Sequence, residues 1–423
     1  MARKVLLVTT VGWVSTARYA GGFAAAAWSV DAFCPAGAPV SVSRYIGQTH
    51  TYRPLSALWS LRRAIDKAAP DLIVACDDRA IGHLLRLFRK ELAAHGEDSS
   101  VVSLLRRSFG ALENFDGMMS RAASMQAAAE IGIRTAETVA VTSEAELDAS
   151  LARFGLPAVL KVDGSWGGDG VIVARTREEA VAAFRRLLRP ASRLRSVLRA
   201  VKRRDAHYLI AALQLPAQHV SVQKYVPGRS AASAFACWQG ETTSLLCYDV
   251  LVADGAIGPP NVIRRVDCPQ MAEASRLVAK HYGLSGIYGL DFIRDDAGNV
   301  HLIEINPRTT QGGTLAFGAG RDLPSALAAS VTQCETSRRQ AIADDVVVFF
   351  PREWQRNVAS PHLMRGHHDV PWDDPAVLDG CFRTARRDLD AAKKAPATQL
   401  LPAQGSRDIT KTNWRRATAL SRS

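Results

Sequence analysis

Short apolar runs alternate with segments of helical spacing along the first hundred residues. Residues 4–10 (KVLLVTT), 29–35 (SVDAFCP) and 70–78 (PDLIVACDD) predict strands, whereas residues 16–28 (TARYAGGFAAAAW) and 56–69 (SALWSLRRAIDKAA) predict helices. Strands that alternate with helices in this way form parallel sheets with the helices packed on their faces. We therefore predict an α/β unit in this part of the chain.

Two acidic residues, Asp77 and Asp78, follow the third of these predicted strands. Ligands of parallel sheets bind beyond the carboxyl ends of the strands, so both carboxylates are candidates for binding a substrate amine or hydroxyl. Turn or helix-cap duty is the alternative. No GxGxxG motif follows the first strand, which disfavours a dinucleotide-binding unit.

The middle of the chain has a different pattern. Residues 120–161 predict an alanine-rich helix, a short strand, a helix entered through Ser143 and a strand that ends at Lys161. Residues 219–253 alternate apolar and polar positions between glycine-bearing turns, as antiparallel strands do. The sequence therefore predicts α+β architecture after the α/β unit.

A hairpin is predicted where residues 289–294 (GLDFIR) and 300–306 (VHLIEIN) flank the turn sequence DDAGN. Pairing about this turn places Asp291 roughly opposite Glu304, and Asn306 shares the face of Glu304 because side chains repeat every two residues. Two carboxylates and an amide oxygen suit Mg²⁺, with Mn²⁺ as the alternative ion. The other interpretation is that the two acids are exposed strand residues.

A glycine-rich stretch, LKVDGSWGGDG, spans residues 160–170 and places Lys161 beside four glycines. Glycines let backbone N–H groups approach an anion closely, and they also gather in turns that bind nothing. By itself the stretch is compatible with a phosphate-binding loop and with a surface turn.

The composition is that of a globular protein, with 423 residues of which 47% are apolar and 22% charged. The seven cysteines are scattered and form no CxxC pair, so we expect neither a disulfide framework nor a structural zinc site, and a reducing cytoplasm fits best. The start, MARKVLLVTTVGWV, resembles a short signal peptide. It contains the first predicted strand and continues into the helix and second strand described above, so we interpret it as part of the fold. No apolar run reaches about 18 residues, so no membrane span is expected.

The chain is basic, with 53 Lys and Arg against 41 Asp and Glu and a formal net charge of +12. Residues 185–204 (RRLLRPASRLRSVLRAVKRR) contain nine basic residues and no acidic one. Such a segment is a solvated face in one interpretation and a contact for an acidic substrate, nucleic acid or membrane surface in the other. It lacks the aromatic residues of single-strand binders, and no specific nucleic acid is expected.

Three of these stretches resemble the ATP-grasp superfamily in order and spacing: PAVLKVDGSWGGDGV, VQKYVPG and GLDFIRDDAGNVHLIEINPR. The resemblance covers residues 1 to about 330. It implies an ATP-grasp fold of α/β and α+β class, in which two α+β lobes hold ATP behind an N-terminal parallel-sheet domain. The implied domains are residues 1–115 (N-terminal), 116–222 (small lobe), 223–340 (large lobe) and 341–423 (a partly mobile C-terminal extension).

The resemblance also implies roles for individual residues. Arg308, Lys161 and Arg121 match the cations that contact phosphate, with Arg121 in the place of a family lysine. The ATP-binding positions are Lys161, the glycine lid with Gly164, Gly167, Gly168 and Gly170, the adenine hinge with Gln223, Lys224, Tyr225 and Val226, and Ser230 at a ribose position that is commonly acidic. The metal ligands are Asp291, Glu304 and Asn306.

The implied activity is that of an ATP- and Mg²⁺-dependent ligase, which activates a carboxylate as an acyl phosphate for attack by an amine or a similar nucleophile. One alternative is a kinase or carboxylase of the same fold. The other is a non-catalytic protein with a degenerate ATP site, which is favoured by Gln223 in place of a hinge glutamate and by Ser230 at the ribose position. We expect small-molecule carboxylate and amine substrates, which the net charge would favour as acidic. The sequence is compatible with a homo-oligomer.

Overall fold

The computed structural model describes residues 3–163, 170–188, 219–255, 258–334 and 339–383. Among these residues the strands form a parallel four-stranded sheet, an antiparallel four-stranded sheet and a mixed seven-stranded sheet. The α/β and α+β class predicted from the sequence is confirmed.

The N-terminal sheet is parallel, as the alternation of strand and helix predicts. Its strands are β1 (Lys4–Val8), β2 (Ser29–Cys34), β3 (Ile46–Thr51) and β4 (Leu72–Ala75), in the order β3-β2-β1-β4. The helices that follow or connect them are α1 (Val14–Ala25), α2 (Ala57–Ala68), α3 (Asp78–His95), α4 (Ser100–Phe109) and α5 (Phe115–Met119). β3 was not predicted, because this edge strand is largely exposed and its sequence, IGQTHT, has no apolar run.

The antiparallel sheet carries Lys161. Its elements are α6 (Arg121–Glu130), β5 (Thr138–Val141), α7 (Glu144–Phe154), β6 (Ala158–Val162), β7 (Val171–Ala174), α8 (Arg177–Leu188) and β8 (Val220–Lys224), with the strand order β5-β8-β6-β7. Ser143 caps α7 through a hydrogen bond from the Glu146 N–H at 3.2 Å, which confirms the predicted entry to this helix. β6 ends one residue later than predicted, at Val162.

The seven-stranded sheet carries the acidic hairpin. Its elements are β9 (Arg229–Trp238), β10 (Glu241–Ala253), β11 (Pro260–Arg265), α9 (Pro269–His281), β12 (Gly286–Arg294), β13 (Val300–Asn306), α10 (Leu323–Thr332), β14 (Val346–Val348), α11 (Arg352–Arg356) and β15 (His367–His368). The strand order is β13-β12-β9-β10-β11-β14-β15. Side chains of β9 are buried on both faces, Phe235 in one core cluster and Ala234 in another, so the sheet is covered on both sides.

The segment after residue 340 ties the large sheet to the N-terminal domain. β14 pairs with β11, and the chain then passes Asp374, whose carboxylate accepts hydrogen bonds from Ser43 Oγ at 2.5 Å and from the Arg44 N–H at 3.3 Å. Val377 and Cys381 are buried against Ala17 and other residues of the N-terminal domain. This part of the predicted C-terminal extension is therefore packed structure.

Several predicted features lie outside the described residues: Gly164, Gly167 and Gly168, the basic segment from Arg189 onward, and the tail after Arg383. The start of the basic segment is described as the end of α8, where Arg185 pairs with Glu144 at the surface at 2.6 Å. Within the described ranges, no helix combines the length and apolar character that a membrane span requires.

Candidate active site

The acidic hairpin has the register that the sequence predicts. Asp291 on β12 pairs directly with Glu304 on β13, and Gly289 pairs with Asn306. The Asn306 side chain donates from Nδ2 to Asp291 Oδ2 at 2.9 Å. Two carboxylates and one amide thus lie together where the interior of β12 pairs with the end of β13.

The two carboxylates repel each other. Burial, followed by the charge of Glu304, raises the pKa of Asp291. Burial would also raise the pKa of Glu304, but the positive charges of Arg121 and Lys161 outweigh it and lower that pKa. A cation beside the pair would relieve the repulsion, so the charge distribution fits a metal ion.

The donor set fits Mg²⁺ in particular. Among the residues that the structure describes, no group of three His, Cys, Asp or Glu side chains converges as a closed metal cage. The hairpin instead offers hard oxygen donors and leaves further positions for phosphate oxygens and water, which is the usual environment of Mg²⁺ in nucleotide sites.

Lys161 lies next to this hairpin. Its ammonium group donates to the carbonyl oxygen of Ile303, the residue before Glu304, at 3.1 Å. The side chain is buried, and burial lowers its pKa to about 8 although Glu304 acts in the opposite direction. β6 thus brings a lysine from the antiparallel sheet to the strand of the large sheet that carries Glu304.

Arg121 begins α6 and lies between the two sheets. Its guanidinium donates to Glu304 Oε1 at 3.0 Å and to the carbonyl oxygen of Val162. Its side chain is only 10% exposed, so the ion pair with Glu304 is largely shielded from water. Burial would lower the pKa of Arg121, but the charge of Glu304 raises it overall, so the guanidinium stays charged.

Arg308 is held by the N-terminal domain. Its Nε donates to Asp78 Oδ2 at 2.9 Å, and its guanidinium carbon lies 5.5 Å from the centre of the Trp13 ring. Asp77 has a different role, because its Oδ1 accepts the Ala80 N–H at 2.9 Å and caps α3. The helix-cap alternative is thus confirmed for Asp77, whereas Asp78 pairs with Arg308 and its binding of a substrate amine or hydroxyl stays a prediction.

The sequence pattern of a family described as ATP-grasp in the biosynthetic pathway with Ter operon matches residues 262–349, which include the acidic hairpin and Arg308. No curated protein matches the chain. Solved structures match most of it. An ADP complex of N5-carboxyaminoimidazole ribonucleotide synthetase covers 81% of this chain and 80% of its own, with a TM-score of 0.57 and 13% identity.

Two further solved structures are similar in fold to most of the chain at low sequence identity. The biotin carboxylase domain of the Hydrogenobacter thermophilus 2-oxoglutarate carboxylase, in complex with MgADP, ADP and bicarbonate, has a TM-score of 0.54 and 16% identity over 81% of this chain and 71% of its own. N5-carboxyaminoimidazole synthase from Aspergillus clavatus, with ADP and 5-aminoimidazole ribonucleotide, has a TM-score of 0.54 and 13% identity over 77% of each chain. The chain has the ATP-grasp fold.

In the ATP-grasp fold of this chain, the predicted hinge joins the antiparallel sheet to the large sheet. Gln223 is buried at the end of β8, and its Nε2 donates to Thr138 Oγ1 at 2.9 Å and to the Ile303 carbonyl oxygen at 3.1 Å. The Lys224 N–H donates to the Glu137 carbonyl oxygen at 2.8 Å, so this N–H is already engaged within the protein.

The remaining predicted nucleotide positions differ in exposure. Tyr225 is 39% exposed, Val226 is half-buried and Ser230 lies exposed on β9 opposite Ile293. Gly170 closes the glycine-rich stretch with a φ of +83°, and its carbonyl oxygen accepts the Val162 N–H at 3.0 Å. The two ends of the stretch are thus paired like the base of a hairpin.

Two cavities lie near these elements of the ATP-grasp fold. One, of about 40 Å³, is lined by Asp78, Arg121, Glu304 and Pro307 and by the apolar side chains of Met118, Met119 and Met125 among others. The other, of about 500 Å³, lies where β10 and β11 meet α9 and contains none of the predicted site residues. The charged groups described above converge around the smaller cavity.

The sequence did not reveal two features of this arrangement: the packing of Trp13 on Arg308, and the ion pair of Asp78 with Arg308. Trp13 follows β1 and carries no motif. Asp78 had a signal, its place after a parallel strand, but its partner lies 230 residues away in the chain.

Proposed function

We propose that the protein is an ATP- and Mg²⁺-dependent ligase that activates a substrate carboxylate as an acyl phosphate for attack by an amine. The observation that carries this proposal is the pairing of Asp291 with Glu304 beside Lys161 and Arg121. Two acids for a metal ion and two cations for phosphate are the parts that phosphoryl transfer requires. The ADP, MgADP and bicarbonate in the related structures support a nucleotide and a small carboxylate as ligands.

In the proposed reaction the substrate carboxylate attacks the γ-phosphorus of ATP, and ADP leaves. The amine then attacks the carbonyl carbon of the acyl phosphate, and inorganic phosphate leaves as the carbon–nitrogen bond forms. Mg²⁺ held by Asp291, Glu304 and Asn306 would neutralise phosphate charge. No protein nucleophile is needed, so positioning and charge stabilisation by the residues of the site account for catalysis.

Each cation has a part in this scheme. Lys161 carries a compact charge that suits the ATP phosphates, whereas Arg308 has a planar donor fork that suits a carboxylate or the transferring phosphoryl group. The ion pair with Asp78 and the face of Trp13 hold the Arg308 fork in one orientation. Gly164, Gly167, Gly168 and Gly170 are proposed to cover the phosphates, the hinge Gln223, Lys224, Tyr225 and Val226 to hold the adenine, and Ser230 to lie near the ribose.

The free cysteines support a cytoplasmic location, since most of the seven are buried thiols. We propose small-molecule substrates with acidic groups, because the net charge of +12 favours anionic ligands.

Thermal unfolding with Mg²⁺ and a non-hydrolysable ATP analogue tests the nucleotide site. At about 100 times the dissociation constant, binding stabilises by about 2.7 kcal/mol, and Lys161→Ala should remove most of this gain.

Product analysis tests the reaction type. ADP release that requires both a carboxylate and an amine supports the ligase, whereas a stable phosphoester formed without a second substrate indicates a kinase. An unchanged melting temperature in the presence of the analogue and Mg²⁺ would contradict the proposed function and favour a degenerate nucleotide site.

A further inference from the structure

Asp163 lies at the junction of β6 and the glycine-rich stretch. Its Oδ1 accepts the backbone N–H of Arg121 at 3.2 Å, and its own N–H donates to the His219 carbonyl oxygen at 3.1 Å. The side chain is half-buried. Asp163 therefore connects the base of the glycine-rich stretch to the first residue of α6.

Arg121 is anchored at three places. Its backbone N–H is bound by Asp163, one end of its guanidinium by the Val162 carbonyl oxygen, and the other by Glu304. Ser120, the N-cap of α6, accepts a different N–H, that of Ala123, so Asp163 adds a second acceptor to the same helix end. The guanidinium can bridge Val162 and Glu304 only while the start of α6 stays in this position.

The charge of Asp163 argues for this role. A carboxylate beside a loop that receives phosphates repels them, unless a nearby cation compensates for it. Arg121 is that cation: burial raises the pKa of Asp163 overall, and the backbone hydrogen bond and the charge of Arg121 act in the opposite direction. Asp163 and Arg121 thus form one unit, in which the acid holds the cation and the cation offsets the acid.

We propose that Asp163 is a positioning residue, which fixes Arg121 so that its guanidinium joins the glycine-rich stretch to the metal-binding Glu304. This inference rests on the proposed function, because it assigns Arg121 a part in stabilising phosphate charge. Asp163 itself contacts neither substrate nor metal ion; it acts through Arg121.

A double-mutant cycle tests this dependence. Asp163→Ala should lower kcat about tenfold in the wild-type background, since one charge-assisted hydrogen bond is removed. In an Arg121→Ala background the same change should lower kcat less than about twofold, because the residue through which it acts is gone. Asp163→Asn keeps an acceptor oxygen, so the kcat of this variant should stay within about threefold of the wild-type value. Equal losses from Asp163→Ala in both backgrounds would overturn the proposal, as would full activity of that variant.

Two additions keep the test decisive. Asp148→Ala is the matched control, because Asp148 is also an acid of the small lobe but forms a surface ion pair with Arg177 and should leave kcat unchanged. The same variants are compared in urea unfolding, which needs no substrate: Asp163 accepts the backbone N–H of residue 121, which Arg121→Ala retains, so Asp163→Ala should lower the unfolding midpoint in both backgrounds. No shift in either background would overturn the proposal, whereas the expected shifts in a protein without ATP-dependent turnover would reject only the proposed ligase function.

Discussion

Arg308 and Asp78 form an ion pair of 2.9 Å between residues that lie 230 positions apart, and their side chains are only 12% and 20% exposed. The pair links the segment after the acidic hairpin to the carboxyl-terminal edge of the N-terminal sheet. It therefore makes the N-terminal domain part of the site.

We expect Asp78→Ala to lower kcat/KM by about ten- to a hundredfold, because a shielded hydrogen bond between charged groups contributes about 1.5–3 kcal/mol. Asp78→Asn keeps an oxygen for Arg308 Nε and should lose less. Steady-state ADP release measures both variants. Equal rates in Asp78→Ala and wild type would mean that Arg308 needs no partner.

Glu304→Gln tests the metal site. The amide removes one negative charge from the hairpin but keeps an oxygen that accepts from Arg121, so the fold should persist. Loss of one preorganised electrostatic contact typically lowers kcat about 10²- to 10³-fold. ADP release against Mg²⁺ concentration is the measurement, with Glu273→Gln on the exposed face of α9 as the control. Normal turnover of Glu304→Gln would refute the metal assignment.

The pKa of Lys161, about 8 because of burial, predicts a pH dependence of nucleotide binding. Below pH 8 most of the free protein carries the ammonium group. Well above pH 8 the charged fraction of Lys161 falls about tenfold per pH unit. Affinity for the ATP analogue should therefore fall as the pH rises from 8 to 9. Calorimetric titration of wild type and Lys161→Arg checks this, because the guanidinium stays charged and should give a flat profile over that range. Parallel profiles would assign the titration to another group.

Asp374 tests the connection between the C-terminal segment and the N-terminal domain. Its carboxylate is 3% exposed and binds Ser43 and the Arg44 N–H, so Asp374→Ala leaves buried donors without an acceptor. The free energy of unfolding should fall by about 1–3 kcal/mol. Urea unfolding measures it against Asp379→Ala, a largely exposed acid of the same segment. A loss in both variants would point to a general charge effect.

Local patterns predicted a large part of the fold. The apolar runs of β1, β2 and β4 predicted strands of the parallel sheet, and the turn sequence DDAGN predicted the hairpin that brings Asp291 close to Glu304. Both depend on neighbours in the chain: burial selects the apolar runs, and a short turn brings together the strands that flank it. A register shift between Asp291 and Phe292 then sets Asp291 opposite Glu304, and the turn sequence alone did not predict it. β3 was not predicted, because an exposed edge strand needs no apolar run.

Contacts between distant segments were beyond the reach of such patterns. The roles assigned to the glycine-rich stretch and the hinge remain predictions, and the structure adds that Lys161 and Gln223 both donate to the Ile303 carbonyl oxygen across the two sheets. No periodicity in the sequence records which carbonyl group of another sheet a buried side chain meets.

The sequence by itself determined the groups to which we propose to assign the chemistry: the paired acids of one hairpin, a lysine near the end of another strand and an arginine that follows the hairpin. Only the tertiary structure decided how these groups are held, with Asp78 on Arg308 and Asp163 on Arg121. The reason is physical. Residue type and local spacing specify charge and strand register, whereas the packing of separate domains selects the partner of each buried charge.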